Sequence, residues 1–120
     1  MRFLCIYKPG KPEQPPTQEE MARMGKLIED AMKAGWLITT EGCLPTSLGA
    51  RVRLSDERFT VTDGPFTESK ELIGGFAIIQ ASSKQEAIEH TKYFLQKAGG
   101  GETEIRQLYE APAATSANRG

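Results

Sequence analysis

Two copies of one short sequence signature constrain the fold of this chain more than any other feature. Thr17-Gln-Glu-Glu20 and Ser83-Lys-Gln-Glu86 both have the form of a capping box, in which a hydroxyl residue and a glutamate three positions later exchange hydrogen bonds at a helix start. Each is followed by apolar residues three and four apart, and then by a glycine suited to a helix end, Gly35 or the run at 99–101. The sequence therefore predicts two amphipathic helices, each with one face that must pack against a sheet.

Strand-like segments occupy most of the remaining chain. Four runs rich in β-branched and aromatic residues span 2–8, 36–44, 73–81 and 104–110. Two shorter alternating runs, 51–54 and 58–62, predict a hairpin with one solvated face. This order predicts an α+β fold, a ferredoxin-like β-α-β-β-α-β unit with an inserted β-hairpin and both helices on one face of an antiparallel sheet. We expect one domain over residues 1–111 and a flexible C-terminal tail over residues 112–120.

The second face of that sheet has no cover in this plan. The first and fourth predicted strands have apolar centres that two helices cannot all cover. The residues concerned are Leu4, Ile6, Phe76, Ile78 and Ile79. We therefore expect a homodimer in which a partner sheet covers this face.

The charge balance argues against several classes of partner. Fifteen basic and 16 acidic residues give a net charge of −1, which leaves no basic surplus for nucleic acid and no polybasic segment for a membrane. No apolar run approaches the ~20 residues that span a bilayer, and residues 1–8 are too short for the apolar part of a signal peptide. We expect a cytoplasmic protein that binds neither nucleic acid nor a membrane.

The cysteine and histidine content limits metal and cofactor chemistry. Cys5 and Cys43 have no CxxC spacing and are expected to be buried thiols. The single histidine, His90, lies on the second predicted helix without a ligand cluster, so we expect no metal site and interpret it as a helix residue outside the catalytic chemistry. The glycine run at 99–101 follows a helix and lacks the Lys-Ser/Thr of a phosphate loop, and we expect no cofactor.

The most distinctive segment is residues 62–76, Thr-Asp-Gly-Pro-Phe-Thr-Glu-Ser-Lys-Glu followed by Leu-Ile-Gly-Gly-Phe. It resembles the signature of the DGPF branch of the YCII-related family, and segments 42–45, 83–88 and 104–108 support a resemblance over residues 1–111. The resemblance implies a bacterial dimeric α/β barrel of ferredoxin-like protomers, often encoded beside an extracytoplasmic-function sigma factor.

Some YCII relatives use a histidine near the first helix with an acidic partner, and one relative is a dehydrochlorinase of a chlorinated hydroxyquinol. The first predicted helix of this chain contains no histidine. That histidine-dependent chemistry is therefore not carried over to it.

Asp63-Gly64-Pro65 has two interpretations. In the structural one, the aspartate accepts amide hydrogens two residues on, while glycine and proline set the bend. In the functional one, the same bend holds Asp63 and Phe66 at a pocket mouth. The charged residues close behind would be Glu68, Lys70 and Glu71.

Lys70 and Arg106 are the basic candidates for a site. Lys70 is an ordinary solvated charge if its loop is exposed, and a candidate base if a dimer covers it. Arg106 shares a face of the last predicted strand with Glu104 and is the favoured anchor for an anion.

These candidates give two functional hypotheses. In the first, a pocket between the sheet and the DGPF segment binds a small polar or aromatic acid, and a cofactor-free acid/base enzyme is one form of it. Asp63 and Lys70 are its catalytic candidates, and its ligand-binding candidates are Phe66, Glu68, Glu71 and Arg106. In the second, the dimer is a regulatory module that binds a sigma factor or another protein through the acidic loop that contains Glu68 and Glu71.

Overall fold

The computed structural model describes residues 1–10, 16–66 and 73–110. The order of elements is strand, helix, strand, hairpin, strand, helix, strand, so the α+β class is confirmed. The strands are β1 (Arg2–Lys8), β2 (Leu37–Gly42), β3 (Ala50–Ser55), β4 (Arg58–Asp63), β5 (Gly75–Gln80) and β6 (Glu102–Gln107); the helices are α1 (Gln18–Ala34) and α2 (Lys84–Ala98). A single 3-10 turn, Thr46–Leu48, lies between β2 and β3. The predicted tail, residues 112–120, lies outside the described residues.

Four of the strands form one antiparallel sheet in the order β2-β5-β1-β6. Among the described strands, β3 and β4 pair only with each other and form a separate two-stranded sheet. The second predicted strand, 36–44, is shorter than expected at both ends. Its register with β5 is irregular between Leu37 and Thr39, and its last paired residue is Gly42, opposite Gly75.

The helix ends follow the capping signals closely. Thr17 accepts a hydrogen bond from the Glu20 amide, and the Glu20 carboxylate accepts one from the Thr17 amide, so the first capping box is confirmed. At α2, Ser83 accepts from the Glu86 amide, but the Glu86 carboxylate bonds to the amide of Ser82 rather than that of Ser83. In the second capping box, the hydrogen bond to the glutamate carboxylate therefore comes from the residue before the N-cap.

Both helices lie on the same face of the sheet. The core there contains Phe3 and Ile79, which are directly opposed on neighbouring strands, together with Ala87 of α2. Aromatic contacts extend it, with Tyr7 meeting Phe94 edge-on at 5.3 Å between ring centroids. Of the five apolar strand residues that two helices were not expected to cover completely, Ile79 lies on this covered face, because it is paired with Phe3.

The two cysteines differ in environment. Cys5 is buried in the core, and burial raises the pKa of its thiol, an effect partly opposed by a hydrogen bond with Thr91. Cys43 is exposed, so the expectation of a buried thiol was wrong for this residue. It directly follows β2, an edge strand of the four-stranded sheet.

The hairpin β3-β4, residues 50–63, is here called the arm. Its strands are joined by Asp56 and Glu57, both with positive φ, as in the tight turns that match strand twist. Every residue of the arm is exposed, so the expectation of a single solvated face was wrong for the isolated chain. Just outside the arm, Gly64 donates a backbone hydrogen bond to Gly49, which closes the base of the hairpin.

Candidate functional site

The sheet face opposite the helices carries a block of four apolar side chains. Leu4 lies opposite Ile78, and Ile6 lies opposite Phe76, on the two central strands. All four are half-buried, although no helix covers them. This set, the apolar quartet, forms a flat floor in the middle of the open face.

Charged side chains border the quartet along β6. Register places Arg106 beside Leu4 and Glu104 beside Ile6. Arg106 Nη1 donates a 2.8 Å hydrogen bond to Glu104 Oε2, and Lys8 Nζ lies 3.6 Å from the other carboxylate oxygen, Oε1. Lys8, Glu104 and Arg106 are called the charged flank.

The members of the charged flank differ in their availability to a ligand. The hydrogen bond from Arg106 is the largest of the effects that hold the pKa of Glu104 below its ordinary value, so this carboxylate is ionised at neutral pH. The Lys8 side chain is only 16% exposed, whereas that of Arg106 is 68% exposed. Arg106 gives one of its five donors to Glu104, and a guanidinium with remaining donors can also bind an anion.

The DGPF segment begins at the base of the arm. Asp63 is the last residue of β4, opposite Ala50, and its exposed carboxylate forms no hydrogen bond or ion pair with any described residue. The interpretation in which Asp63 accepts an amide hydrogen two residues on has no donor, because that residue is Pro65. Gly64 leaves no room for a side chain, since a Cβ there would overlap the carbonyl of Thr46.

Phe66 lies against the arm. The guanidinium carbon of Arg51 stands 3.9 Å from the centroid of the Phe66 ring, within the range of a cation–π contact. Glu68, Lys70 and Glu71 lie outside the described residues. The described residues resume at Ile73. Gly74 donates a backbone hydrogen bond to the carbonyl oxygen of Tyr7, the residue before Lys8.

The structure thus brings together only part of the predicted site. Arg106 and Glu104 share a face, as expected, and the structure adds Lys8 to them. Asp63 and Phe66 lie at the base of the arm, which forms a sheet separate from that of Arg106, and neither contacts Arg106 among the described interactions.

Lys8 is the residue that sequence reasoning missed. It was treated only as the end of a strand, although it alternates with Leu4 and Ile6 and therefore shares their face. Recognising it as a site residue required the pairing of β1 with β6, which is not visible in either strand alone.

Other parts of the described molecule offer less to a ligand. His90 stacks on Trp36 with ring centroids 4.1 Å apart and lies between a helix and the sheet end, away from the open face. A shallow depression of about 360 Å³ beside Met1, Trp36 and Glu86 has no lysine or arginine in its lining. Among residues 1–10, 16–66 and 73–110, no group of three or more His, Cys, Asp or Glu residues could hold a metal ion. In the same residues, no helix is long and apolar enough to cross a membrane.

Known proteins resemble this chain in sequence and in fold. The family model of the YCII-related domain matches residues 1–109. The chain belongs to the YCII-related family. An uncharacterised protein of Rhizobium meliloti (strain 1021) is 36% identical over 61 residues, which are 51% of this chain and 49% of that protein. The YCII-related chain thus spans about half the length of the curated relative it matches.

A solved structure shares the fold of this YCII-related chain. It is 5-chloro-2-hydroxyhydroquinone dehydrochlorinase (TftG) from Burkholderia phenoliruptrix AC1100, in complex with 2,5-dihydroxybenzoquinone. The TM-score is 0.50 at 20% identity, covering 92% of this chain and 96% of that one. At this identity the likeness concerns the fold alone.

Proposed function

We propose that this YCII-related chain binds a small polar or aromatic acid on the open face of its sheet. The observation that carries the proposal is the position of the charged flank, with Arg106 68% exposed, directly beside the apolar quartet. An apolar floor with a few polar groups at one side is the usual composition of a small-molecule site.

Each part of this face has a chemical role in the proposal. The apolar quartet takes the flat face of a ring, and Arg106 binds the carboxylate or enolate through a charge-assisted hydrogen bond. Lys8 adds a second positive charge, which its ion pair with Glu104 keeps close to the apolar quartet. Because Glu104 neutralises part of this charge, the site favours a singly charged acid over a phosphate ester.

The proposal includes a homodimer, in which a second copy covers the open face. A four-stranded sheet with both helices on one face leaves an apolar surface that monomers seldom expose. The ferredoxin-like arrangement and the DGPF branch are parts of the same proposal, supported by the order of elements and by residues 62–66.

Cofactor-free acid/base catalysis is the enzymatic form of the proposal. Asp63 is the candidate base that the structure describes, with an exposed carboxylate free of described hydrogen bonds. Lys70 stays a prediction from the sequence, because it lies outside the described residues. TftG acts on a hydroxylated ring, which makes 2,5-dihydroxybenzoquinone a suitable first probe. Binding to a sigma factor stays a prediction that no described contact tests.

The test is a thermal-shift titration of the wild type with 2,5-dihydroxybenzoquinone, hydroxylated aromatics and small carboxylates, followed by two arginine variants. Arg106→Met should weaken binding of the selected acid by roughly tenfold or more, because hydrogen bonds to charged groups contribute roughly 1.5–3 kcal/mol. The matched control, Arg23→Met, removes an exposed arginine from α1 and should leave binding unchanged. Equal loss in both variants, or none in Arg106→Met, contradicts the assignment of the site.

A further inference from the structure

The arm presents apolar surface that remains exposed among the residues that the structure describes. Val52 lies opposite Val61, and Leu54 lies opposite Phe59, so all four side chains share one face. Their exposed fractions run from 61% to 73%. A two-stranded hairpin is at best marginally stable by itself in water. A surface on a second molecule is therefore expected to pack against this face.

The arm and the open sheet face have matching apolar blocks. Each block consists of two directly opposed pairs, two residues apart along neighbouring antiparallel strands. Strand spacing and rise give both blocks the same footprint, about 5 Å across the strands and about 7 Å along them. The two blocks match in size, so one face can cover the other.

We propose that the arm of each chain lies over the open face of a second copy, with its apolar face toward that copy's apolar quartet. The arm then roofs the acid site of the other copy, which is incomplete without it. This role in the site depends on the proposed function. The exchange is reciprocal, as a two-fold dimer requires, and it covers both apolar blocks of both chains.

Interface size favours the arm as part of the dimer contact. A stable interface buries about 800 Å² on each partner. The half-buried quartet offers only a fraction of its side-chain surface, and charged residues border it along β6. The arm adds four large, mostly exposed apolar side chains.

The charge of the arm favours a second copy over other partners. Its arginines are Arg51, Arg53 and Arg58, and its carboxylates are Asp56, Glu57 and Asp63, so the formal charges cancel. A surface that binds nucleic acid or an anionic membrane carries a basic surplus, which this arm lacks. A neutral mixture of both signs is compatible with contact between identical chains.

Cross-linking in trans tests the contact directly. Cys43→Ser removes the exposed thiol, and Leu54→Cys and Ile78→Cys are then placed in separate chains that are refolded together. Mild oxidation should give a disulfide-linked dimer in the mixture. The control pair, Arg53→Cys with Ile78→Cys, uses the opposite face of the arm and should give none. An uncross-linked mixture, or equal cross-linking of Leu54→Cys chains alone, overturns the proposal.

Sedimentation at micromolar concentration tests the same contact without oxidation. The wild type and Thr60→Lys should sediment at twice 13.2 kDa, whereas Phe59→Lys, on the apolar face, should sediment at 13.2 kDa. A monomeric wild type, or a dimeric Phe59→Lys, overturns the proposal. Neither measurement contains a ligand. Acid binding without the cross-link would contradict the arm contact alone, and the cross-link without acid binding would contradict the acid site alone.

Discussion

Asp63 is the residue at which structural and chemical roles can be separated. Its carboxylate is exposed and forms no hydrogen bond with a described residue. Asp63→Ala should therefore change the free energy of unfolding by less than about 0.5 kcal/mol, as surface substitutions usually do. The turn interpretation instead expects a loss of roughly 1 kcal/mol, the contribution of one local hydrogen bond. Urea denaturation distinguishes the two values.

A second variant, Asp63→Asn, tests the chemical role of Asp63 independently of stability. If the carboxylate serves as a general base, Asp63→Asn removes turnover of the acid while the melting temperature stays at the wild-type value. A matched substitution, Asp56→Asn at the arm turn, should leave turnover intact, because Asp56 lies at the opposite end of the arm. Equal turnover in all three proteins would assign no catalytic role to Asp63.

At the scale of elements, the helices were largely predictable because their signals are local. Thr17 and Glu20 lie within one turn, and Gly35 ends α1 with a φ of 89° that suits glycine. Which strand residues the helices cover depends on pairing with distant strands. The sequence therefore did not show that Ile79 would be the covered member of its group of five, and Lys8 was missed. The arm was predicted as a hairpin, but its full exposure was not. The alternation of polar and apolar residues shows which face is apolar, and it does not show whether another part of the chain packs against that face.

The start of α2 should be sensitive to acid. Glu86 has a pKa below its ordinary value of 4.5, chiefly because its carboxylate accepts a hydrogen bond from the Ser82 amide. A folded-state pKa below the unfolded value stabilises the protein above the unfolded pKa, and this contribution is lost as pH falls through the folded pKa. Glu86→Gln should therefore make the decline in unfolding free energy below about pH 4.5 shallower.

The control for this prediction lies on the same helix. Glu89→Gln removes an exposed carboxylate whose described partner is Lys92, at 3.6 Å. Its urea-denaturation profile between pH 3 and 7 should parallel that of the wild type. If Glu86→Gln also gives a parallel profile, the Ser82 contact does not contribute to stability. Glu20, Glu104 and Glu110 retain their own acid dependence in both variants.

At the scale of the whole molecule, composition and the order of elements were sufficient to predict an α+β chain with both helices on one face. The same reasoning named Arg106 but did not place Lys8 beside it, because the two residues are nearly a hundred positions apart and come together only through the pairing of β1 with β6. The DGPF segment, 62–76, is divided between two places: its first described residues lie at the base of the arm, whereas Phe76 lies on β5 in the apolar quartet.

Methyl NMR of the wild type with a bound acid tests the central claim most directly. Isoleucine and leucine methyl groups lie on both faces of the sheet, so one titration with the acid selected by thermal shift compares them internally. The account predicts chemical-shift changes at Leu4, Ile6 and Ile78 on the open face, with Ile79 and Ile105 on the helix face unaffected. Changes confined to Ile79 and Ile105, or to the Trp36 indole beside the shallow depression, would contradict it.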